Sequence, residues 1–201
     1  MISKDIRGIE KDDSDTAKKR KAQVLGAAAE CFSIRGFHKT SLAQIAEKAN
    51  MSTGHIYHYF KSKEDIIAEI VRNEKSDADL FIEKARQAVN DDEAIDMLIE
   101  DFAIAAAIHK NTQRASLMME TLAEAARNPF ISKVVHKENK EFQESILGIF
   151  KYKKSEMKSK LEIISAILHG LSVNALRNPD IDKTLDLDML KSVVKFILKE
   201  A

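Results

Sequence analysis

The sequence predicts an all-α fold, and three observations carry that prediction. Apolar residues recur at a spacing close to 3.6 along nearly the whole length, the period of one buried helix face. No segment alternates polar and apolar residues in the manner of a half-buried strand. The 201 residues include only two prolines and six glycines, so little interrupts helical runs. A hydrophobic content of 44% supports a real core, and the length suits one large domain or two small ones.

Residues 1–15 mix Lys, Arg, Asp and Glu without periodicity, the pattern expected of a flexible N-terminal arm. A first helix is expected from about Thr16 to Arg35, with Leu25, Ala28, Ala29 and Phe32 inward and Gly36 ending it. Cys31 is the single cysteine, which excludes an internal disulfide, and beside Phe32 it reads as a small buried apolar residue. Ser41-Leu-Ala-Gln44 fits the reciprocal capping pattern of a helix start. In that second helix Leu42, Ile45, Ala46 and Ala49 form one apolar stripe. Asn50-Met51-Ser52 breaks it: Asn50 tolerates the left-handed conformation of a helix C-terminus, and Ser52 can accept a hydrogen bond from the first free amides of the next helix. The third helix spans roughly Thr53 to Phe60. Burying Ile56 and Phe60 leaves His55, Tyr57, His58 and Tyr59 facing outward.

Ser62-Lys-Glu-Asp65 resembles a capped start of a fourth helix carrying Ile66, Ile67, Ile70 and Val71, which links the two halves of the chain. Further helices are expected at about 77–89, 93–109, 112–127, 129–150, 155–177 and 186–200. Asn128-Pro129 supplies a cap followed by proline at the first helical position, and Asn178-Pro179 ends the penultimate long helix. The segment Leu161–Leu176 is apolar nearly all round, so a single buried stripe cannot account for it. The same helix of a second copy is the simplest second cover, giving a two-fold homodimer. Phe142, Ile149, Ile163, Ile167, Leu171 and Asn174 are the expected interface, with the Phe142 helix as companion.

Two helices joined by a tight turn, the second aromatic and basic on its outer face, make a helix-turn-helix signature within Thr40–Lys63. The net charge is zero, which by itself argues against a nucleic-acid partner. Its distribution argues otherwise. Residues 16–63 hold nine basic side chains (Lys18, Lys19, Arg20, Lys21, Arg35, Lys39, Lys48, Lys61, Lys63) against Glu30 and Glu47, an excess of seven positive charges, and the rest of the chain carries the balancing acidic excess. Attraction to phosphate is local because exposed charges are screened over about 8 Å at physiological salt. The first fifteen residues are charged, and no apolar run approaches the roughly 20 residues of a membrane span. No membrane partner is therefore expected, and a cytoplasmic location is.

The order Gly36-Phe37, Thr40-Ser41-Leu42, Ile45-Ala46, Ala49, Ser52, Gly54, Tyr57, Tyr59-Phe60, Ser62-Lys63 resembles the TetR (tetracycline-repressor-like) family of bacterial regulators over about residues 16–67. The segment Glu120–Pro129 looks like one found in several branches of that family. The resemblance implies an N-terminal three-helix helix-turn-helix DNA-binding domain, residues 16–63, and a C-terminal helical ligand-binding and dimerisation domain, residues 64–201. Carried over by motif position, Thr40, Ser52, Tyr57, Tyr59 and Lys63 would contact phosphates, while Thr53, Gly54, His55 and His58 would approach bases. Hydroxyls and an ammonium suit phosphate oxygens, Gly54 lets backbone come close, and ring nitrogens can address base edges. Asn50 stands where the family often has glycine, and His55 replaces its usual small or hydroxyl residue.

The implied pocket would be lined from the helices around the centre of the second domain by Phe102, His109, Met118, Met119, Leu122, Phe142, Ile146, Ile164, Leu168 and His169, with Gln113 and Asn174 as further polar neighbours. The function so implied is a ligand-responsive transcriptional regulator, a repressor that binds a palindromic operator in double-stranded DNA as a homodimer. A small, largely apolar effector of unknown identity would release it. No cofactor is expected. A metalloenzyme built on a helical bundle is a rival reading, but no histidine has a glutamate three residues before it, and His-Glu-x-x-His and glycine-rich phosphate loops are also missing. His55 and His58 could share a metal, yet no cysteine or carboxylate lies close on that face. A DNA-organising protein without sequence preference is the second rival.

Overall fold

The structure, a computed structural model, describes residues 6–73, 75–151 and 154–200, with side-chain surroundings for those outside 6–14 and 75–78. All regular elements among the described residues are helical: α1 (Ile6–Arg35), α2 (Leu42–Lys48), α3 (Thr53–Tyr59), α4 (Lys63–Asn73), α5 (Lys75–Ala85), α6 (Asp91–Lys110), α7 (Thr112–Ala125), α8 (Pro129–Leu147), α9 (Lys154–Arg177), α10 (Ile181–Thr184) and α11 (Leu187–Lys199). The chain divides into two compact units, Met1–Ile70 and Val71–Ala201.

The helices differ from the expected ones in places: α5 ends at Ala85 rather than near 89, and α8 at Leu147 rather than near 150. α1 begins at Ile6 rather than near Thr16, so much of the expected arm is helical; residues 1–5 lie outside the described part. The short α10 has no counterpart in the apolar pattern, because four residues are too few to show a period.

In the N-terminal unit the core is built from one face of each helix. Val24, Ala28 and Phe32 of α1 are fully buried, and Phe37, Ile45, Ala46, Ala49, Ile56 and Phe60 are buried with them. Val24 rather than Leu25 takes the deepest position, since Leu25 and Ala29 are only half-buried. Phe32 and Phe37 pack as tilted rings with centroids 5.2 Å apart. That return of the chain depends on Gly36 at φ 79°, a left-handed conformation glycine adopts at little cost. Cys31 is buried, as its place beside Phe32 predicts, and desolvation raises its thiol pKa.

The C-terminal unit is a helical bundle in which α6 and α9 pack on each other, α11 covers both, α5 and α7 flank α6, and α8 lies against α5, α7 and α9. Its central cluster joins Ile82, Ile95, Ile99, Phe102, Phe150, Met157, Ile164, Leu171, Val194 and Leu198. Caps fix where these helices start. Asn90, Asn111, Asn128 and Asp186 each accept from backbone amides at the first turn of α6, α7, α8 and α11, and Pro129 occupies the first turn of α8. Among the described residues no helix is long and apolar enough to cross a membrane.

Candidate nucleic-acid interface and effector cavity

The turn between α2 and α3 is built by hydrogen bonds the sequence encodes locally. Ser41 Oγ accepts from the Gln44 amide at 3.2 Å while the Gln44 side chain accepts from the Ser41 amide at 2.8 Å, starting α2. α2 ends with Asn50 at φ 50°. The Asn50 amide donates to the Glu47 carbonyl at 3.0 Å and the Met51 amide to the Ala46 carbonyl at 2.9 Å, the paired bonds of a Schellman ending. Ser52 Oγ then accepts from the His55 amide at 3.1 Å and starts α3. Gln23 of α1 donates from Nε2 to the Ala49 carbonyl at 2.6 Å, tying the turn to the long helix.

α3 is thereby aimed with one narrow face inward. Ile56 is fully buried and Phe60, its C-cap, nearly so. Ser52, Gly54, His55, Tyr57 and His58 are exposed, Thr53 and Tyr59 half-buried. Tyr57 keeps 55% of its surface in solvent. Tyr59 is steadied on two sides: its hydroxyl lies 3.3 Å from His55 Nε2, and its ring meets that of His58 edge-on with centroids 5.1 Å apart. A Cβ on Gly54 would meet only Ser52 Oγ, at 4.0 Å. Nothing within the fold requires glycine there, although glycine costs a helix about 1 kcal/mol relative to alanine.

Two residues expected at phosphates are engaged elsewhere. Thr40 is only 1% exposed, and its hydroxyl donates inward to the Gly36 carbonyl at 2.8 Å, with the Cys31 carbonyl at 3.2 Å. Its side chain is therefore a tie between α1 and the loop that follows, a correction to the role the resemblance suggests. Lys63 is half-buried, and its ammonium donates to the carbonyls of Phe37 and Thr40, each at 2.8 Å. The cations that remain exposed are Lys18, Lys19, Arg20, Lys21, Arg35, Lys39, Lys48 and Lys61, of which Lys48 pairs with Glu30. No group of three or more metal-ligating side chains occurs among the described residues.

Residues 24–70 match the family described as bacterial regulatory proteins, tetR family. The N-terminal unit is a TetR-family domain. Beyond it the chain is 30% identical over 116 residues to the HTH-type transcriptional regulator UidR of Escherichia coli K12, a match covering 58% of this chain and 57% of that protein. The chain thus spans little more than half the length of that curated relative. The fold extends further than the sequence likeness. Salmonella enterica GusR superposes with a TM-score of 0.68 at 23% identity, covering 90% of this chain and 96% of that one. The Bacillus subtilis regulator FadR, solved in complex with stearoyl-CoA, does so with a TM-score of 0.67 at 18% identity, covering 90% and 98%. The TetR-family domain and a C-terminal bundle of that shared fold are therefore both present here.

That C-terminal unit holds a cavity of about 220 Å³ that is partly open to solvent. Six of the expected pocket residues line it: Phe102 and His109 from α6, Phe142 and Ile146 from α8, Ile164 and Leu168 from α9. Met118, Met119, Leu122 and His169 do not; Leu122 is 47% exposed, and His169 points outward on α9. Periodicity identifies the apolar face of α7 but not which neighbours it meets; α7 packs against α6, α8 and α9 and sends only Arg114 of its first turn to the cavity. The lining that sequence reasoning missed comes from helices at the edges of the bundle: Phe81 and Ile82 of α5, Val194 and Leu198 of α11, together with Leu98, Asp101, Ala105, Ile108, Arg114 and Leu161. Leu98, Asp101, Phe102, Ala105 and His109 share one face of α6 at helical spacing, the signal that could have found them.

The polar lining has defined partners. Asp101 takes two hydrogen bonds from the Lys84 ammonium, at 2.8 and 3.0 Å. His109 Nδ1 lies 3.0 Å from the buried Ser172 hydroxyl. Burial first, and then the neighbouring His169 and Arg114, together pull the His109 pKa down from 6.5 to about 4. His109 is neutral at physiological pH.

The expected dimer residues divide. Ile149 and Leu171 are buried in the central cluster and so turned away from a second copy, while Phe142, half-buried, lines the cavity wall. Ile163 is 49% exposed, Asn174 is exposed and Ile167 half-buried. The adjoining helix with an uncovered apolar face is α11 rather than α8: Met189, Val193 and Phe196 all stand in solvent.

Proposed function

We propose that this protein is a ligand-responsive transcriptional regulator, a repressor that binds a palindromic operator as a homodimer and is released by a small, largely apolar effector. The observation that carries the reading is α3. It buries Ile56 and Phe60 and spends every other outward position on a hydroxyl, a ring nitrogen, an aromatic ring or a glycine without internal purpose. Such a face suits a major groove, with Ser52, Tyr57 and Tyr59 at phosphates and Thr53, Gly54, His55 and His58 near base edges. Lys63 assists by holding the loop before α2, and the exposed cations of α1 supply the long-range attraction.

The homodimer rests on α9 and α11, which pack on each other and leave Ile163, Val173, Met189, Val193 and Phe196 exposed. Large apolar side chains left exposed on two adjoining helices are what an association site in a soluble protein offers. Effector control rests on the apolar cavity and on α4, whose residues fall on both sides of the division between the two units. A ligand that favours one setting of α4 shifts the population able to engage both half-sites. GusR and FadR, with the same fold, support the architecture of this reading.

Selection of bound fragments from a random DNA pool tests it. Recovery of one inverted repeat, preferred over random DNA by about 10³ or more, is expected of a regulator. Equal affinity for all sequences would replace it with a DNA-organising role, and no retained DNA would end it.

A further inference from the structure

Three rings of α3 lie in mutual contact, with Tyr59 between two histidines. Its ring centroid is 5.4 Å from that of His55, tilted by 35°, and 5.1 Å from that of His58, crossed at 77°. The three are not equally held. His55 and His58 are exposed, whereas Tyr59 is half-buried and precedes the buried Phe60. His55 and Tyr59 are four residues apart, so they are neighbours on the helix surface, and the Tyr59 hydroxyl lies 3.3 Å from His55 Nε2. A hydroxyl both donates and accepts. The contact therefore forms with the imidazole proton on either ring nitrogen.

An exposed imidazole without such a contact exchanges rotamers freely, and all but one of them must be given up when the ring meets a base edge. We infer that Tyr59 is a positioning residue for base recognition: through its hydroxyl it holds the His55 ring in one orientation. Base preference at the position His55 meets is then set by two residues, of which Tyr59 acts through the other. The inference rests on the reading of α3 as the recognition helix and goes beyond the phosphate contact assigned to Tyr59 there.

Tyr59→Phe removes the hydroxyl and keeps the ring against His58, so the fold is retained. Affinities of the full-length parent, Tyr59→Phe, His55→Ala and the double variant are measured on the operator recovered by fragment selection and on its single-base substitutions. His55→Ala marks the position whose preference depends on that ring. Tyr59→Phe is expected to lower discrimination at the same position by about threefold, the worth of one hydrogen bond, with other positions unchanged. Once His55 is alanine, it should have no further effect there. Undiminished discrimination in Tyr59→Phe, even with affinity lowered for all sequences alike, overturns the inference and leaves Tyr59 at most its phosphate contact. A loss at that position that persists in the double variant overturns it too, because Tyr59 would then act without His55. No changed position in His55→Ala removes the base role of His55 and the inference with it. No DNA retained by the parent would instead overturn the reading of α3 itself.

Discussion

The Lys63 ammonium donates to the Phe37 carbonyl at 2.8 Å and stands 4.5 Å from the centroid of the same residue's ring. One cation thus holds both the backbone and the side chain of the residue that closes α1 onto the helix-turn-helix. With a second bond to the Thr40 carbonyl, two of its three donors are committed inside the protein. Lys63→Ala is expected to destabilise the N-terminal unit by about 1–3 kcal/mol, the worth of hydrogen bonds from a charged donor. It should change the salt dependence of DNA binding by less than the roughly 0.9 units of a dedicated phosphate contact. Denaturant unfolding and affinity measured across salt concentrations check the two halves. Unchanged stability with a full unit lost from the slope would return Lys63 to the phosphate role.

Gly54→Ala separates folding from recognition. The added methyl meets only Ser52 Oγ, at ordinary van der Waals distance, and alanine is the better helix former by about 1 kcal/mol. The variant is expected to be as stable as the parent or up to that much more stable. DNA affinity should nevertheless fall, because the methyl occupies the space through which α3 approaches bases. A more stable variant with undiminished affinity would show that the groove surface lies elsewhere.

Tyr57 and His55 are expected to fail differently. Tyr57 is more than half exposed, so Tyr57→Ala should cost the fold little. Binding should weaken across all sequences alike, as for a phosphate contact. His55→Ala also removes the Tyr59 partner, and its expected signature is altered base preference at one position of each half-site. Repeating fragment selection with each variant reads both outcomes, and a uniform loss for His55→Ala would move it to the phosphate group.

The helix-turn-helix was legible because its determinants are local. Ser41 with Gln44, Asn50, and Ser52 each act within five residues, and Ile56 with Phe60 needs only helical spacing to define the inward face. The inward hydrogen bonds of Thr40 and Lys63 are not legible for the opposite reason: their partners, Cys31 and Phe37, are set by how the chain turns back onto α1 at Gly36. Likewise the apolar run of α9 showed that two covers are required, but Leu171 faces inward and Ile163 outward. Which neighbour supplies each cover depends on the positions of α8 and α11, and periodicity within one helix carries no information about that.

The outer face of α11 provides a separate test of association. Phe196 is 52% exposed, while Val194 and Leu198 on either side are buried. Phe196→Glu is therefore expected to fold, because the charge meets water in the monomer, and to dissociate a dimer, because it would be desolvated in one. Leu171→Glu, with 5% exposure in the central cluster, should unfold the bundle instead. Sedimentation together with circular dichroism distinguishes the outcomes. A Phe196→Glu protein with the parent's sedimentation coefficient would place the interface off α11.

His109 gives the bundle an acid sensitivity whose sign can be worked out. Above pH 6.5 the ring is neutral in both the folded and the unfolded chain, so it adds no pH dependence. Between 6.5 and about 4 the unfolded chain takes up a proton that the folded one, with its ring desolvated beside the cavity, refuses. Stability therefore falls as pH drops through that window and levels off below it with respect to this group. His109→Gln retains a polar partner for Ser172 and cannot charge, so its unfolding midpoint should decline less steeply across the same range. Thermal unfolding of parent and variant at matched pH values checks this, and parallel curves would mean that His109 is solvated and able to ionise in the folded protein.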